Sequence, residues 1–152
     1  MPGKPLRRVV TGLDPDGRST VIIDGPAAQV IWTTDRSPAD NGGSLDAGGA
    51  PFSFAIPVGG TTLFFTDFAP AGEGASIGMH ATDTLDYAVI VSGEITLLTQ
   101  TGETKLRAGD VLVDRGILHA WRNDGRKPCR VLFVFLKAGP VGAASVSSTA
   151  GR

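Results

Sequence analysis

The stretch HATDTLDYAVIVSG, residues 80–93, begins polar, ends apolar and decides the fold class. Its segment Tyr87–Val91 is rich in β-branched and aromatic residues, which is typical of a strand, and Gly93 is a turn residue. Side chains alternate between the two faces of a strand, so one polar set is expected to share a face: His80, Thr82, Thr84 and Asp86. Ala88 and Ile90 continue that face. The stretch therefore predicts a strand whose inner face changes from polar to apolar.

A second stretch, GILHAWRN at residues 116–123, contains the other of the chain's two histidines. The alternation of a strand places His119, Trp121 and Asn123 on one face. If this face and that of Asp86 line one barrel interior, two imidazoles and a carboxylate converge in an otherwise apolar cavity. Such a cavity is typical of an active site.

Other short apolar runs lie on either side of these two stretches, and many of the 21 glycines and 10 prolines of the chain separate one run from the next. No helical period of useful length is present, so the pattern predicts an all-β jelly roll or small barrel. Asp35–Pro51 and Ala69–Gly78 are predicted to be loops. The remaining predicted strands are Arg7–Thr11, Thr20–Asp24, Gln29–Thr33, Thr61–Phe68, Ile95–Thr99, Thr104–Arg107, Val111–Val113 and Cys129–Lys137.

Composition narrows the class of protein. The chain has 152 residues, which suits one domain, and its 14 Lys and Arg against 15 Asp and Glu give a net charge of -1. We therefore expect no nucleic-acid partner. The longest apolar runs are too short to cross a bilayer and no signal-like segment is present, so we expect no membrane partner and a cytoplasmic location. The single cysteine, Cys129, is predicted to be a buried and inert thiol.

The two stretches together resemble the motifs of the cupin superfamily. Gly74–Gly93 fits the spacing of the first cupin motif, but Thr82 replaces its second histidine and Asp86 replaces its glutamate. Gly109–Asn123 fits the second motif with a spacing one residue shorter, and Arg115 stands near the position of its proline. The resemblance implies a double-stranded β-helix barrel of the small single-domain type, with strands on either side completing it.

The resemblance also implies a metal site in ordinary cupins, and here only a reduced set is present. His80, Asp86 and His119 could form a facial triad for a divalent metal such as Fe, Mn or Zn. Without a metal, the same residues could transfer protons, with Thr82 or Tyr87 donating a hydrogen bond. Both hypotheses stay open at this point. The wall of the substrate pocket is predicted to contain Trp121, Phe64 and Met79.

Three functions follow from these hypotheses, all with a small-molecule partner. The first is a lyase or isomerase that dehydrates, isomerises or decarboxylates a carbonyl-bearing metabolite. The second is an iron-dependent dioxygenase, and the third is a ligand-binding barrel without catalysis. We expect an N-terminal strand extension at 1–52 that helps to form a homodimer, a barrel at 53–138 and a disordered tail at 139–152.

Overall fold

The computed structural model describes residues 3–73 and 78–141, and every regular element in them is a β-strand. This confirms the prediction of an all-β fold. No helix in this part of the chain is long and apolar enough to cross a membrane. The strands are β1 (Arg7–Leu13), β2 (Ser19–Pro26), β3 (Val30–Thr34), β4 (Thr61–Phe68), β5 (Thr84–Ser92), β6 (Glu94–Thr99), β7 (Gly102–Arg107), β8 (Val111–Asp114), β9 (Ala120–Arg122) and β10 (Cys129–Lys137).

Two antiparallel sheets form the double-stranded β-helix of a jelly roll. The larger sheet has the order β3-β4-β10-β5-β8, and the smaller one has the order β7-β6-β9. Their inner faces share one apolar core, in which Ile95 and Leu97 of β6 join Ile90, Val131 and Phe133 of the larger sheet. The two sheets therefore close around a common interior, as the sequence predicts.

Strand β10 shows how the alternation of side chains builds this core. Cys129, Val131, Phe133 and Phe135 point inward and are buried, and the residues between them are half-buried. Full burial of each large apolar side chain contributes about 1.5–3 kcal/mol. Because β10 lies between β4 and β5, it anchors the strand that carries Asp86.

Two glycines are required where strands approach each other closely. Gly116 has a φ of 75°, and a Cβ there would lie 2.8 Å from the carbonyl oxygen of Thr82. Gly93 has a φ of 78°, and its Cβ would lie 3.0 Å from the Cα of Cys129. Larger residues would be strained at both positions. The first of these contacts brings the segment before β9 against the segment before β5.

The N-terminal strands divide between two sheets. Strands β1 and β2 form a separate hairpin, whereas β3 joins the larger sheet beside β4. The hairpin is tied to its own chain, because Arg8 forms an ion pair with Asp46 and donates a hydrogen bond to the carbonyl oxygen of Ile31. The homodimer stays a prediction, which light scattering would test. Most of the predicted tail, residues 142–152, lies outside the described residues, as does Gly74 of the first motif.

Candidate functional site

The backbone brings the two histidines together. His80 and His119 form an isolated antiparallel bridge, in which the N–H of each donates to the carbonyl oxygen of the other at 3.0 Å. Their ring centroids are 4.7 Å apart. His119 is buried and His80 is half-buried. The sequence therefore predicted correctly that these residues approach each other, although they lie just outside the regular strands.

Both imidazole rings have the same orientation toward the backbone. The Nδ1 atom of His80 lies 3.0 Å from the carbonyl oxygen of Gly78, and that of His119 lies 2.9 Å from the carbonyl oxygen of Ile117. A carbonyl oxygen only accepts hydrogen bonds, so Nδ1 carries the proton in each neutral ring. Each Nε2 atom then has a free lone pair, which can accept a proton.

Asp86 provides a buried carboxylate beside the histidines. Its side chain points inward from β5, it is 4% exposed, and its Oδ1 atom has no hydrogen-bond partner. Burial raises the pKa of Asp86 to about 6, and the negative charge of Asp114 also raises it. The hydroxyl of Thr84 and the two histidines act in the opposite direction. The carboxyl group of Asp86 therefore changes between its neutral and its charged form near neutral pH.

Asp114 is a second buried carboxylate, and it lies outside the marked positions of both motifs. It ends β8 directly opposite Asp86 of β5, and it is 5% exposed. Its Oδ2 atom lies 3.0 Å from Nδ1 of His119 but accepts no hydrogen bond, so this contact is electrostatic. The alternation along β8, which puts Asp114 on the face of Leu112, was the signal that could have found it. We call the four residues His80, Asp86, Asp114 and His119 the acid–histidine cluster.

Two other predicted site residues lie next to this cluster. The hydroxyl of Thr82 lies 2.7 Å from that of Thr84, so the two share a hydrogen bond. Trp121 lies on the face of His119, with ring centroids 6.0 Å apart, and it also contacts Phe68 and Phe133 of the core. Trp121 therefore forms the boundary between the cluster and the apolar core.

Three further predicted site residues have different positions. Tyr87 lies on the outer face of β5 and is 42% exposed, because side chains alternate along the strand and Asp86 points inward. Phe64 is a core residue, and its ring stacks on that of Phe133 at 5.2 Å. Met79 precedes His80 and is 45% exposed, so its place in the wall of a pocket stays a prediction. We therefore place neither Tyr87 nor Phe64 among the groups that act on a substrate.

Asn123, the last residue of the second motif, has a different environment. It is buried, and its amide nitrogen donates to the carbonyl oxygens of Phe68 and Lys127. Its amide oxygen accepts the backbone N–H of Gly125. We call residues 123–127 with Phe68 the Asn123 turn. The side chain uses its hydrogen bonds to hold a turn.

Access to the cluster is restricted. Surface grooves of about 400 Å³ and 470 Å³ lie elsewhere on the molecule, and no residue of the cluster lines either of them. His80 is the most exposed member, whereas Asp86, Asp114 and His119 are buried. A small molecule would therefore reach the cluster from the side of His80.

The arrangement of donors does not fit the metal site that the fold implies. The described residues include every His, Cys, Asp and Glu of the chain, and no group of three of these side chains is placed to hold a metal ion. The Thr82 hydroxyl, at the position of the missing histidine, pairs with Thr84 instead. We therefore derive no chemical step through a metal.

Comparisons with known proteins identify the family. The model of the cupin domain matches residues 64–135. Phomopsin biosynthesis cluster protein C' of Diaporthe leptostromiformis is 36% identical, over 88% of this chain and 79% of that protein. Cupin-domain-containing oxidoreductase srdB of Neurospora crassa is 32% identical, over 88% of this chain and 74% of that protein.

A solved structure gives a weaker match. An uncharacterized conserved protein with a double-stranded beta-helix domain from Klebsiella pneumoniae is 23% identical, with a TM-score of 0.44 over 51% of this chain and 68% of that one. The sequence relatives match over most of their own length, and the cupin-domain model covers the strands around the acid–histidine cluster. On these grounds, the chain belongs to the cupin family.

Proposed function

We propose that this protein is an enzyme that transfers protons in a carbonyl-bearing small molecule, with His80 and His119 as its acid–base groups. The observation that carries the proposal is the orientation of the two rings. Their centroids are 4.7 Å apart, and each Nδ1 faces a backbone carbonyl oxygen. Both Nε2 atoms are therefore available as bases in a largely buried site. Positioned groups of this kind contribute about 10²–10⁴-fold to a rate.

The neighbouring carboxylates support a proton-transfer reaction. A carboxyl group whose pKa is about 6, as for Asp86, can both accept and return a proton near neutral pH. In an isomerisation or dehydration, one imidazole accepts a proton from the carbon next to the carbonyl. The electron pair of the broken C–H bond then forms an enolate, and a second group delivers a proton to an oxygen or carbon atom.

The names of the relatives suggest a setting for this activity. Two of them are described as phomopsin biosynthesis cluster proteins, and a further one as an oryzines biosynthesis cluster protein of Aspergillus oryzae. We propose by analogy that the substrate is an intermediate or product of secondary metabolism.

The test uses solvent deuterium, because C–H exchange next to a carbonyl is shared by the isomerase and dehydratase reactions. The protein is incubated in D2O with an enolisable ketone, an aldehyde, an α-keto acid and a β-keto acid, and proton loss is followed by NMR. We expect catalysed exchange with at least one compound, and a fall of about 10²–10⁴-fold in the His80→Ala and His119→Ala variants.

The control for these variants is Gln100→Ala, at the exposed tip of the β6–β7 hairpin. It should retain wild-type exchange, and all variants should keep the wild-type melting profile. Exchange that is no faster with the wild-type protein than with His119→Ala, across all four compounds, would contradict the proposal. A compound that binds tightly without exchange or product would favour the ligand-binding barrel.

A second candidate function rests on the relatives described as oxidoreductases, from Neurospora crassa and Hypocrea virens. It is the iron-dependent dioxygenase that the sequence also suggests, and it would require the side chains of His80, Asp86 and His119 to move before they could bind iron. Metal analysis of protein purified without a chelator separates the two candidates. Stoichiometric iron with oxygen uptake would favour the dioxygenase, and a metal-free protein that still catalyses exchange would favour the proton-transfer enzyme.

A further inference from the structure

Asp114 is held so that its two carboxylate oxygens have different surroundings. Its Oδ1 atom accepts the backbone N–H groups of Gly116 at 2.9 Å and Ile117 at 3.2 Å. These two bonds fix the carboxylate against the loop that leads to His119. Its Oδ2 atom consequently lies 3.0 Å from Nδ1 of His119 and has no hydrogen bond of its own.

The Nδ1 atom of His119 therefore has two oxygens beside it. The carbonyl oxygen of Ile117 lies at 2.9 Å and the carboxylate of Asp114 at 3.0 Å, and both are acceptors. A lone pair on Nδ1 would be repelled by both oxygens, whereas an N–H is favoured by both. The effect is strong because the ring and the carboxylate are buried, at 4% and 5% exposed.

His80 provides a comparison within the same site. Its Nδ1 atom also lies against a carbonyl oxygen, that of Gly78. In the described part of the chain, however, His119 is the histidine that forms a pair with a carboxylate. Both rings thus contact a backbone carbonyl oxygen through Nδ1, and the ring of His119 also has the carboxylate of Asp114 beside it.

Anchoring the loop does not explain why the residue is an acid. An asparagine would present the same Oδ1 atom to the N–H groups of Gly116 and Ile117. The carboxylate instead leaves Oδ2 buried without a partner, which is unfavourable unless a positive charge forms nearby. The charge that fits is the imidazolium of His119.

We propose that Asp114 is the positioning residue for His119: its buried Oδ2 atom, 3.0 Å from Nδ1, supports the Nδ1–H form that the Ile117 carbonyl oxygen already favours, and it stabilises the imidazolium formed when Nε2 accepts a substrate proton. This role rests on the proposed function. In the step concerned, the C–H bond of the substrate breaks and its electron pair forms the enolate. The proton joins Nε2 and later returns to the substrate. Asp86 and His80 are the other ionisable groups that face His119.

The experiment compares Asp114→Asn with wild type by two-bond ¹H–¹⁵N NMR of the two histidine rings. In wild type we expect both rings in the Nδ1–H form. In the variant, the carbonyl oxygen of Ile117 still accepts the Nδ1–H of His119, so both rings should keep this form, while the carboxylate charge beside His119 is lost. Deuterium exchange of the carbonyl substrate should fall at least about 100-fold in kcat with an unchanged KM, because the ring stays in place and only its charged form is destabilised.

Asp110→Asn is the matched control, because Asp110 also anchors a turn beside β8 by accepting the backbone N–H of Arg107. It should change neither the ring signals nor exchange. An Nε2–H form of His119 in wild type overturns the proposal, even if Asp114→Asn does not fold. An undiminished kcat for exchange in Asp114→Asn also overturns it. If His119→Ala loses exchange and Asp114→Asn retains it, this inference alone fails; if His119→Ala retains exchange, the proposed function itself fails.

Discussion

The Asn123 turn and the acid–histidine cluster both bury polar side chains, and they do so with opposite results. Asn123 is 3% exposed and its amide makes three hydrogen bonds to the backbone. Asp86 and Asp114 are equally buried, yet each has one carboxylate oxygen without a hydrogen-bond partner. A satisfied buried group stabilises a fold, and an unsatisfied one costs about 1–3 kcal/mol.

Buried polar residues that stabilise the fold have all their hydrogen-bond partners, whereas those of the candidate site leave an oxygen atom without one. The second cupin motif contains both kinds only four residues apart, because His119 belongs to the cluster and Asn123 to the turn. Burial alone does not separate them, whereas the hydrogen-bond partners do. Substitutions in the two regions should therefore move stability and activity in different directions.

The largest effect on stability is expected from Asn123→Ala. The change leaves the carbonyl oxygens of Phe68 and Lys127 and the N–H of Gly125 without their partner. We expect the free energy of unfolding to fall by about 2–4 kcal/mol, measured by urea denaturation. Below its melting temperature the variant should keep deuterium exchange. Asn41→Ala, in an exposed loop, is the control, and an equal loss of stability in both variants would remove the distinction.

Asp86→Asn is expected to raise the free energy of unfolding, whereas Asn123→Ala lowers it. The pKa of Asp86 is about 6 in the folded protein against an ordinary value of 3.8, so the folded state holds this proton more tightly. Wild-type stability should therefore fall as the pH rises from about 4 to 6 and then level off, by up to about 3 kcal/mol from this group.

Asparagine removes the buried charge, so the variant should be more stable than wild type by about 1–3 kcal/mol at pH 8 and nearly equal to it at pH 4. Deuterium exchange should fall at the same time. Urea denaturation at both pH values measures the first effect. A variant that is less stable at pH 8 than wild type would show that the Asp86 carboxylate supports the fold, as Asn123 does.

A smaller effect is expected from Thr82→Val, which keeps the shape of the side chain and removes its hydroxyl. The hydroxyl of Thr84 loses its partner at 2.7 Å, so stability should fall by about 1 kcal/mol. Exchange should change less than 10-fold, an order-of-magnitude limit that separates support from catalysis. A larger loss of exchange at unchanged stability would place Thr82 among the groups that act on the substrate.

The smallest effect is expected from Tyr87→Phe. The side chain lies on the outer face of β5, opposite to Asp86, so losing its hydroxyl should change stability by less than about 0.5 kcal/mol. Exchange should equal that of wild type. Loss of exchange in this variant would mean that the outer face of β5 takes part in the reaction, so that the buried cluster would not be the whole site.

Much of the site could be predicted because its residues lie in two short stretches. The alternation of side chains from His80 to Ile90 predicts that Asp86 lies on the inner face of β5, and the structure confirms it. The same alternation places Trp121 with His119. Tyr87 shows the limit of such reasoning, because its position next to Asp86 in sequence puts it on the opposite face of the strand.

The all-β class and the cupin resemblance follow from the sequence alone, because they depend on local alternation and on spacing within 74–93 and 109–123, and the resemblance in turn places the two histidines in one site. The tertiary structure was needed to show that β8 pairs with β5 and so places Asp114 opposite Asp86. It also decided that Asp114, rather than Asp86, lies at Nδ1 of His119. Pairing between strands depends on how the whole sheet closes around its core, and no local pattern specifies which carboxylate comes to lie beside which ring.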